Sequence, residues 1–402
     1  MAKVLVLGAS GYIGTHLVPR LVGAGHEVRA ASRHREVLEG RGWSGVEVVE
    51  ADALSAESLD AALEGIEVAY YLVHSMASGR DYAERDRWAA ETFRDAAART
   101  GVKRIVFLGG LQPAGGASEH LASRAETGEA LRAGPVPVTE LRAGIIVGPG
   151  SAAFEVIRDL VNHLRVMVTP RWVRSRTQPI GLDDLLAYLV GVIGCEETAG
   201  GIYDVAGAET LTYQELMRGY ARVVGRRMLI IPVPVLTPRL SSYWLDLVTA
   251  VPSNVARPLI EGLKLDLLAD DRAIRELLPI PLHNYREAVE AAIEGERAAN
   301  LSGHWAEAAL PYPGFGDDAS FYSKHERASE VALVPAADLW RELVRIGGEN
   351  GWYAYPALWK LRGLLDRLLG GVGMRRRRRD PNELRVGDVL DFWRVVQVEP
   401  VR

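Results

Sequence analysis

Three glycines near the start of the chain are spaced for close contact with a phosphate-bearing ligand. Gly8, Gly11 and Gly14 follow the apolar run 3–7 and lead into a segment whose apolar residues recur every four positions. Gly8 and Gly11 let the backbone approach a ligand, and Gly14 lets the helix pack closely against the strand. The helix N-terminus then offers N–H groups and a positive dipole end to a pyrophosphate. The pattern predicts a dinucleotide site, with an ordinary strand-to-helix turn as the alternative.

The end of the second predicted strand distinguishes the two nicotinamide dinucleotides. An Asp or Glu usually binds a free ribose 2′-hydroxyl there, whereas this chain has Ser32 and Arg33. A hydroxyl and a guanidinium suit a 2′-phosphate, and His34 and Arg35 add polar or positive character. We therefore expect NADP rather than NAD, with an exposed arginine at a strand end as the alternative.

Strands and helices alternate through the first half of the chain. Apolar runs at 46–49, 66–73 and 103–108 are separated by helical patterns such as 82–100. This alternation predicts an α/β fold in which a doubly wound parallel sheet has helices on both faces, the Rossmann arrangement. A ligand of such a sheet binds at the carboxyl ends of the strands.

The expected cofactor-binding residues lie at the glycine turn and at the carboxyl ends of the next three strands. Asp52 could accept a hydrogen bond from an adenine amino group, or it could cap the turn into Ser55, and the sequence leaves both roles open. The predicted set is Gly8, Ser10, Gly11, Tyr12, Ile13, Gly14, Ser32, Arg33, Asp52, Ala53, Leu72 and Val73.

The pattern changes along the chain and predicts four segments. Residues 1–227 form the Rossmann domain, and the proline-rich residues 228–299 form a smaller helical lid over the substrate. Residues 300–330 read as a linker. Residues 331–402 form a partial α+β tail with two helical patterns and a short strand region.

Composition narrows the class of protein. The chain has 402 residues, 48% of them hydrophobic and 25% charged, as expected of a soluble globular protein with several domains. Its net charge of −5 argues against general nucleic-acid binding. The single cysteine, Cys195, excludes an internal disulfide and a multi-cysteine metal site and suits a reducing cytoplasm. The first strand leaves no room for a signal peptide, and the apolar runs are too short to span a membrane.

The chain resembles the atypical short-chain dehydrogenase/reductase family, in its NmrA-like and NAD-dependent epimerase-like branch, over residues 1 to about 295. The residues that carry this resemblance are the glycines of 8–14, Asp52, and the segments 141–149 and 179–184. Two further segments, 119–128 and 237–244, together with the tail 331–402, resemble bacterial proteins that join such a domain to DUF2867. That domain resembles the helix-grip, START-like ligand-binding fold, of which this tail holds a part.

The chain departs from this family at the catalytic positions. The resemblance implies a Tyr that transfers a proton, a Lys one helical turn later, and a Ser or Thr at the preceding strand end. Here the pair falls on His120 and Arg124, and the strand ends in two glycines, with Ser118 and Gln112 near enough to substitute. His120 could be the acid or base and Arg124 could orient the ribose or a substrate, or both could be solvated helix residues.

Two aromatic side chains near the predicted crevice leave two interpretations open. His74 follows the fourth strand and Tyr82 begins the next helix. Both could face the nicotinamide, although aromatic side chains on strands and helices belong more often to the core.

Two functions from different classes fit these residues. The first is an NADP-dependent oxidoreductase acting on an unknown carbonyl or alcohol, either small or lipophilic, with His120 as proton donor. The second is a non-catalytic NADPH-binding protein that serves as a redox sensor or as a structural or assembly component. No metal, nucleic acid or membrane span is expected in either, and the sequence leaves the oligomeric state open.

Overall fold

A computed structural model of the chain describes residues 1–74, 82–113, 118–164, 166–233, 265–299, 334–346, 389–390 and 393–394. The chain divides into two units, residues 1–295 and 296–402. The predicted linker 300–330 lies outside the described residues, as do residues 234–264 of the predicted lid and most of the tail.

The strands and helices follow one another closely in the first unit. The strands are β1 (Lys3–Leu7), β2 (Glu27–Ser32), β3 (Val46–Glu50), β4 (Val68–Tyr71), β5 (Arg104–Gly110), β6 (Val138–Ala143), β7 (Ile146–Val147), β8 (Val166–Pro170), β9 (Arg176–Thr177), β10 (Ile180–Gly181), β11 (Ile202–Val205), β12 (Leu211–Thr212) and β13 (Leu229–Val233). The helices are α1 (Tyr12–Gly23), α2 (Arg35–Glu39), α3 (Ala56–Leu63), α4 (Tyr82–Thr100), α5 (Glu119–Arg132), α6 (Ala152–His163), α7 (Leu182–Gly194), α8 (Tyr213–Val223), α9 (Arg272–Leu277) and α10 (Tyr285–Ala299), the last continuing into the second unit.

Seven strands form one parallel sheet in the order β11-β6-β5-β4-β1-β2-β3. The chain starts at β1 in the middle of the sheet, proceeds to one edge through β2 and β3, and returns to the other side through β4. The order therefore reverses between β1 and β4, and in doubly wound sheets such a switch point opens a crevice for a ligand. The predicted α/β fold with a doubly wound sheet is confirmed.

Alternating side chains of the central strands build a core on each face of the sheet. Val4 and Val6 pack on one face against α1 and α7, where Leu17 is fully buried. Leu5 and Leu7 pack on the other face with residues of α3 and α4. A strand buried on both faces needs continuous apolar sequence, which is why β1 reads as an unbroken apolar run.

A third apolar cluster lies beside the sheet and joins α6, α8 and α10. Phe154 of α6 meets Tyr220 of α8 edge to face, with ring centroids 5.7 Å apart, and Val289 of α10 is fully buried in the same cluster. Short strand pairs β7 with β10, β9 with β12 and β8 with β13 connect these helices to the sheet. The third cluster and these strand pairs together position the segments that follow the strands of the main sheet.

The proline-rich segment after residue 228 differs from its prediction at its start. We expected the strand pattern to end there, but β13 pairs in parallel with β8, and Pro232 lies opposite Thr169. A two-stranded ladder uses the N–H groups of only one side of each strand, so it tolerates a proline that a central strand would not.

In the second unit, four secondary-structure elements lie among the described residues. Besides the end of α10, α11 spans Ala336–Leu343, and β14 (Val389–Leu390) pairs with β15 (Trp393–Arg394) in an antiparallel ladder. The second helical pattern predicted for the tail lies outside the described residues.

Candidate functional site

The glycine turn between β1 and α1 has no space for side chains at its two ends. Gly8 has a φ of +89°, and a Cβ there would lie 2.9 Å from the carbonyl carbon and oxygen of Leu72. A Cβ at Gly14 would lie 2.5 Å from the carbonyl oxygen of Gly8 and 2.6 Å from Cα of Ala9. Gly11 closes the turn by donating its N–H to the Gly8 carbonyl at 2.9 Å. Helix, turn and β4 therefore meet backbone to backbone.

The first turn of α1 is arranged to receive an anion. Gly11 is the N-cap, no side chain caps the helix, and no acidic residue stands in its first turn. The first N–H groups of a helix have no partner within it and carry the positive end of its dipole. Ser10, Tyr12 and Ile13 are half-buried around this end. The residues present therefore fit a pyrophosphate at this turn.

The end of β2 is tied directly to the glycine turn. The carbonyl of Ala31 accepts the N–H groups of Gly8 at 3.0 Å and of Ala9 at 3.1 Å. The Ser32 hydroxyl donates to the carbonyl of His34 at 2.9 Å and accepts its N–H at 3.1 Å, so Ser32 stabilises the turn after β2. The strand end is thus held next to the anion site.

Arg33 extends from that fixed strand end. Its side chain is exposed, and within the described ranges of the chain it makes no hydrogen bond or ion pair. Arg35, by contrast, forms a 2.7 Å ion pair with Glu39 on α2. Arg33 is therefore the arginine of this turn whose guanidinium can meet a ligand without breaking an internal contact.

The carboxyl end of β3 is shaped by two adjacent turns. Asp52 Oδ1 accepts the Leu54 N–H at 3.0 Å, while the cap of α3 is Ser55, whose hydroxyl accepts the Ser58 N–H. Asp52 therefore closes the turn that precedes the cap. Ala53 is buried beside it at 6% exposure. Both residues lie at the carboxyl edge of the sheet, as the sequence predicted.

The carboxyl end of β4 continues the wall of the same crevice. Leu72 donates its N–H to the carbonyl of Leu7 at 3.0 Å, and Val73 follows along the glycine turn. Next comes His74, whose Nδ1 lies 2.8 Å from Oδ2 of Asp86 on α4. Burial lowers the pKa of His74, and the hydrogen bond to Asp86 opposes that shift.

The sequence predictions did not include Asp86. Its carboxylate is only 2% exposed, among the buried polar groups of the sheet domain. One signal was present in the sequence, because Asp86 precedes the buried residues Ala89, Ala90 and Phe93 at helical spacing. An acidic residue on an apolar helix face needs a partner, and His74 is that partner.

The predicted pair His120 and Arg124 lies on α5. The side chain of His120 is outside the described residues, so its role stays a prediction. The Arg124 guanidinium donates to the carbonyl of Leu108 at the end of β5, and its Cζ lies 4.9 Å from the centre of the Phe107 ring. Burial lowers the pKa of Arg124 to about 10, so it stays protonated at neutral pH.

The polar residues near the end of β5 hold the start of α5. Ser118 is the N-cap of α5 and accepts the N–H of Leu121. Gln112 donates from Nε2 to the carbonyls of Gly110 at 3.0 Å and Leu121 at 3.2 Å. Both side chains form hydrogen bonds within this junction, and their substitution for the family's serine stays a prediction.

Sequence comparison shows which protein family the glycine turn and the strands around it resemble. Residues 8–134 match the family described as NAD(P)H-binding. Residues 8–134 form an NAD(P)H-binding domain. The tail, residues 319–402, matches a family described as a protein of unknown function, DUF2867. The predicted resemblance to reductases and epimerases of this type, with a DUF2867 tail, is confirmed.

Curated and solved proteins show similarity around the NAD(P)H-binding domain. The ceramide reductase of Caulobacter vibrioides is 28% identical over 239 residues, which are 58% of this chain and 73% of that protein. The NADPH-dependent quinone oxidoreductase of Escherichia coli, solved with NADPH, superposes with a TM-score of 0.60 at 20% identity, over 72% of this chain and 99% of that chain. A nucleoside-diphosphate-sugar epimerase of Staphylococcus aureus gives a TM-score of 0.59 at 16% identity, with the same coverage. At these identities the two structures establish the shared fold.

The described ranges contain neither a candidate membrane-spanning helix nor a candidate metal-binding cluster. No helix there is both long and apolar enough to cross a membrane. No group of three or more His, Cys, Asp or Glu residues there is placed to hold a metal ion.

Proposed function

We propose that this protein is an NADP(H)-dependent oxidoreductase that acts on a carbonyl compound or the corresponding alcohol. The observation that carries the proposal is Arg33, an exposed guanidinium without a partner among the described residues, on a strand end that is hydrogen-bonded to the glycine turn. A ribose 2′-phosphate is the group that distinguishes NADP from NAD, and an arginine in this place accommodates it.

Each part of the crevice has a role in this proposal. The turn Gly8–Gly14 and the start of α1 bind the pyrophosphate, and Asp52 and Ala53 flank the adenine. Leu72 and Val73 form the wall toward the nicotinamide, which supplies a hydride when the cofactor is bound. His120 is proposed as a proton donor from its place in the family pattern. Arg124 orients the end of β5 through its contacts with Leu108 and Phe107.

The relatives support a carbonyl substrate and suggest its character. One relative is named a ceramide reductase, and one structural neighbour is named an NADPH-dependent quinone oxidoreductase. We therefore propose a lipophilic carbonyl compound as the first substrate class to test. The predicted lid segment 228–299 is proposed to contribute to substrate binding.

The cofactor assignment is tested by titration calorimetry with NADPH and NADH on the full chain. Replacing Arg33→Asp removes a charge-assisted contact to the 2′-phosphate, so we expect NADPH affinity to fall about 10- to 100-fold. NADH affinity should not fall and can rise, because NADH has no phosphate at that position and an aspartate there can bind its free ribose 2′-hydroxyl. Arg286→Asp is the matched control, since it makes the same charge change on α10, where Arg286 pairs with Glu290.

The reaction is tested by NADPH oxidation against a panel of quinones, long-chain ketones and aldehydes. Oxidation that depends on one class of carbonyl supports the reductase. Tight NADPH binding without oxidation across the panel supports the non-catalytic sensor or structural role instead, for which the missing Tyr and Lys are the motivating observation. Absence of binding of either nucleotide refutes both.

A further inference from the structure

A buried carboxylate lies on the apolar face of α4. Asp86 is 2% exposed, and the next residues of its face, Ala89, Ala90 and Phe93, belong to the core under the sheet. Burying a carboxylate is costly unless it is hydrogen-bonded, and here Oδ2 lies 2.8 Å from Nδ1 of His74. The helix places a charge where packing alone calls for an apolar side chain.

The ring bonded to this carboxylate is at the cofactor end of the sheet. His74 comes two residues after Leu72, and the Leu72 carbonyl group packs so closely on Gly8 that a Cβ added there would lie 2.9 Å from it. Its side chain is 15% exposed and is therefore largely shielded from bulk water. Hydride acceptors of nicotinamide cofactors in doubly wound sheets bind at this edge.

Asp86 on α4 and Arg124 on α5 are charged groups that act on the ring of His74. Tyr71 at the end of β4 interacts electrostatically with both of them. The Tyr71 hydroxyl is buried and has no hydrogen bond among the described residues, and burial raises its pKa. Arg124 acts electrostatically on Asp86, Tyr71 and His74. It favours the ionised form of the carboxylate, and after burial it adds to the lowering of the His74 pKa, which Asp86 opposes.

The hydrogen bond selects the form of the imidazole ring. An ionised carboxylate accepts only, so Nδ1 of His74 carries the hydrogen and Nε2 is the basic nitrogen. Asp86 therefore fixes the ring orientation and stabilises the imidazolium when Nε2 takes up a proton. A histidine held by a buried carboxylate in this way can exchange a proton near neutral pH.

We propose that His74, held by Asp86, is the proton donor of the carbonyl reduction described above. This inference rests on the proposed function and replaces the role given there to His120. The carbonyl carbon gains a hydride with its electron pair from the reduced nicotinamide, which is oxidised. The π pair of the carbonyl moves to its oxygen, the N–H bond at Nε2 breaks, and that proton forms the new O–H bond. His74 returns to its neutral form, and the carbonyl becomes an alcohol.

The role of His74 is tested first by substitution in the full chain. His74→Gln keeps a polar side chain, and we expect kcat for NADPH oxidation to fall about 100-fold or more. NADPH affinity, measured by calorimetry, should stay within about twofold, because the ring acts on the substrate. His283→Gln is the matched control, since His283 Nδ1 also bonds to a buried aspartate, Asp184, at 2.6 Å, and it should leave kcat unchanged.

Asp86 acts through His74 and is tested as a positioning residue. Reduction needs the imidazolium, so kcat should fall as the pH rises through the pKa of His74. Asp86→Asn removes the carboxylate that favours the imidazolium, and the alkaline limb of the kcat profile should move down by about one pH unit or more. A purely structural carboxylate would lower the amount of folded protein and leave the position of that limb unchanged.

A measurement without turnover uses the wild-type protein. The His74 ring resonance is assigned by triple-resonance NMR and titrated with and without NADP⁺. The positive nicotinamide should lower the pKa of His74 by about 0.5 pH unit or more, while the pKa of His283 stays constant. Because it needs only the wild-type protein, this pKa measurement tests the role of His74 even if the substituted proteins do not fold.

The outcomes separate this inference from the function on which it rests. NADPH oxidation that survives His74→Gln, or that is lost only in His120→Phe, overturns the role of His74 and leaves the reductase in place. A His74 pKa that does not change when NADP⁺ binds also overturns the role of His74 and leaves the reductase in place. A wild-type protein that binds no NADPH, or that oxidises none with any carbonyl, overturns both.

Discussion

The closest contact of the glycine turn gives a prediction whose sign and size follow from the structure. A Cβ added at Gly14 would lie 2.5 Å from the Gly8 carbonyl oxygen, about 1 Å short of ordinary van der Waals contact. The opposing atoms are backbone atoms, so no side-chain rotation relieves the clash and α1 must move away from the turn. Overpacking costs about 1–3 kcal/mol, and a clash with backbone belongs in the upper part of that range, about 2–3 kcal/mol, against about 1 kcal/mol gained from the helix propensity of alanine.

We therefore expect Gly14→Ala to lower the free energy of unfolding by about 1–2 kcal/mol. Gly23→Ala is the matched control at the other end of α1, where a new Cβ would meet no atom within 4 Å. It should raise stability by about 0.5–1 kcal/mol, because alanine restricts the unfolded chain and favours helix. Urea unfolding followed by circular dichroism measures both.

The same displacement should weaken nucleotide binding. The N–H groups at the start of α1 move together with Gly14, so NADPH affinity should fall at least about tenfold in Gly14→Ala, by calorimetry. Gly23→Ala should bind NADPH as the wild type does. If Gly14→Ala were as stable as the wild type, or if both variants lost stability equally, the reasoning from close backbone packing would be refuted.

Two further predictions concern charged contacts away from the nucleotide. Asp184 raises the pKa of His283 through a hydrogen bond, so His283 contributes stability that is fully present below its ordinary pKa and is lost as the pH rises through the raised value. Because the ring is half-exposed, His283→Gln should cost less than about 1 kcal/mol near pH 5.5 and nothing by about pH 9, and a loss that grew with pH in urea titrations would contradict the assignment. Arg104 is buried and donates to the carbonyls of Val192 and Cys195 at the end of α7. Arg104→Met should cost about 2–3 kcal/mol in urea unfolding with partial recovery in Arg104→Lys, and full stability of the methionine variant would contradict its role as a helix cap.

Much of the NAD(P)H-binding domain could be predicted because its signals are local. The glycines at 8–14 and the strand before them determine one turn, and helix α4 begins and ends where its pattern predicted. Beyond that domain, Thr212 and Glu215, three positions apart, form a capping box at the start of α8. Each of these features depends on residues within a few positions of one another, where propensity and hydrogen bonding act directly.

The less predictable features depend on contacts between distant parts of the chain. The proline-rich sequence after residue 228 predicted an end to the strand pattern. The structure accommodates Pro232 within a strand because, among the described strands, β13 pairs only with β8. Asp86 is 12 positions from His74, with a turn and the start of α4 between them. The loop lengths that bring them together are set by tertiary packing, so spacing in the sequence did not reveal the pair. The preference for NADP over NAD likewise stays a prediction, because it depends on a contact to the nucleotide.

Two buried carboxylates of the same domain show why the His74 pair points to chemistry. Glu140 on β6 is 1% exposed on its side chain and is bound by Arg132 and Arg142. Arginines stay protonated across the physiological range, so that cluster has one charge state and serves as a cross-link between α5 and β6. The ring bonded to Asp86 can take up or release a proton near neutral pH, so its charge state changes there. The end of β4 beside the glycine turn is where a change of protonation is useful to a reaction.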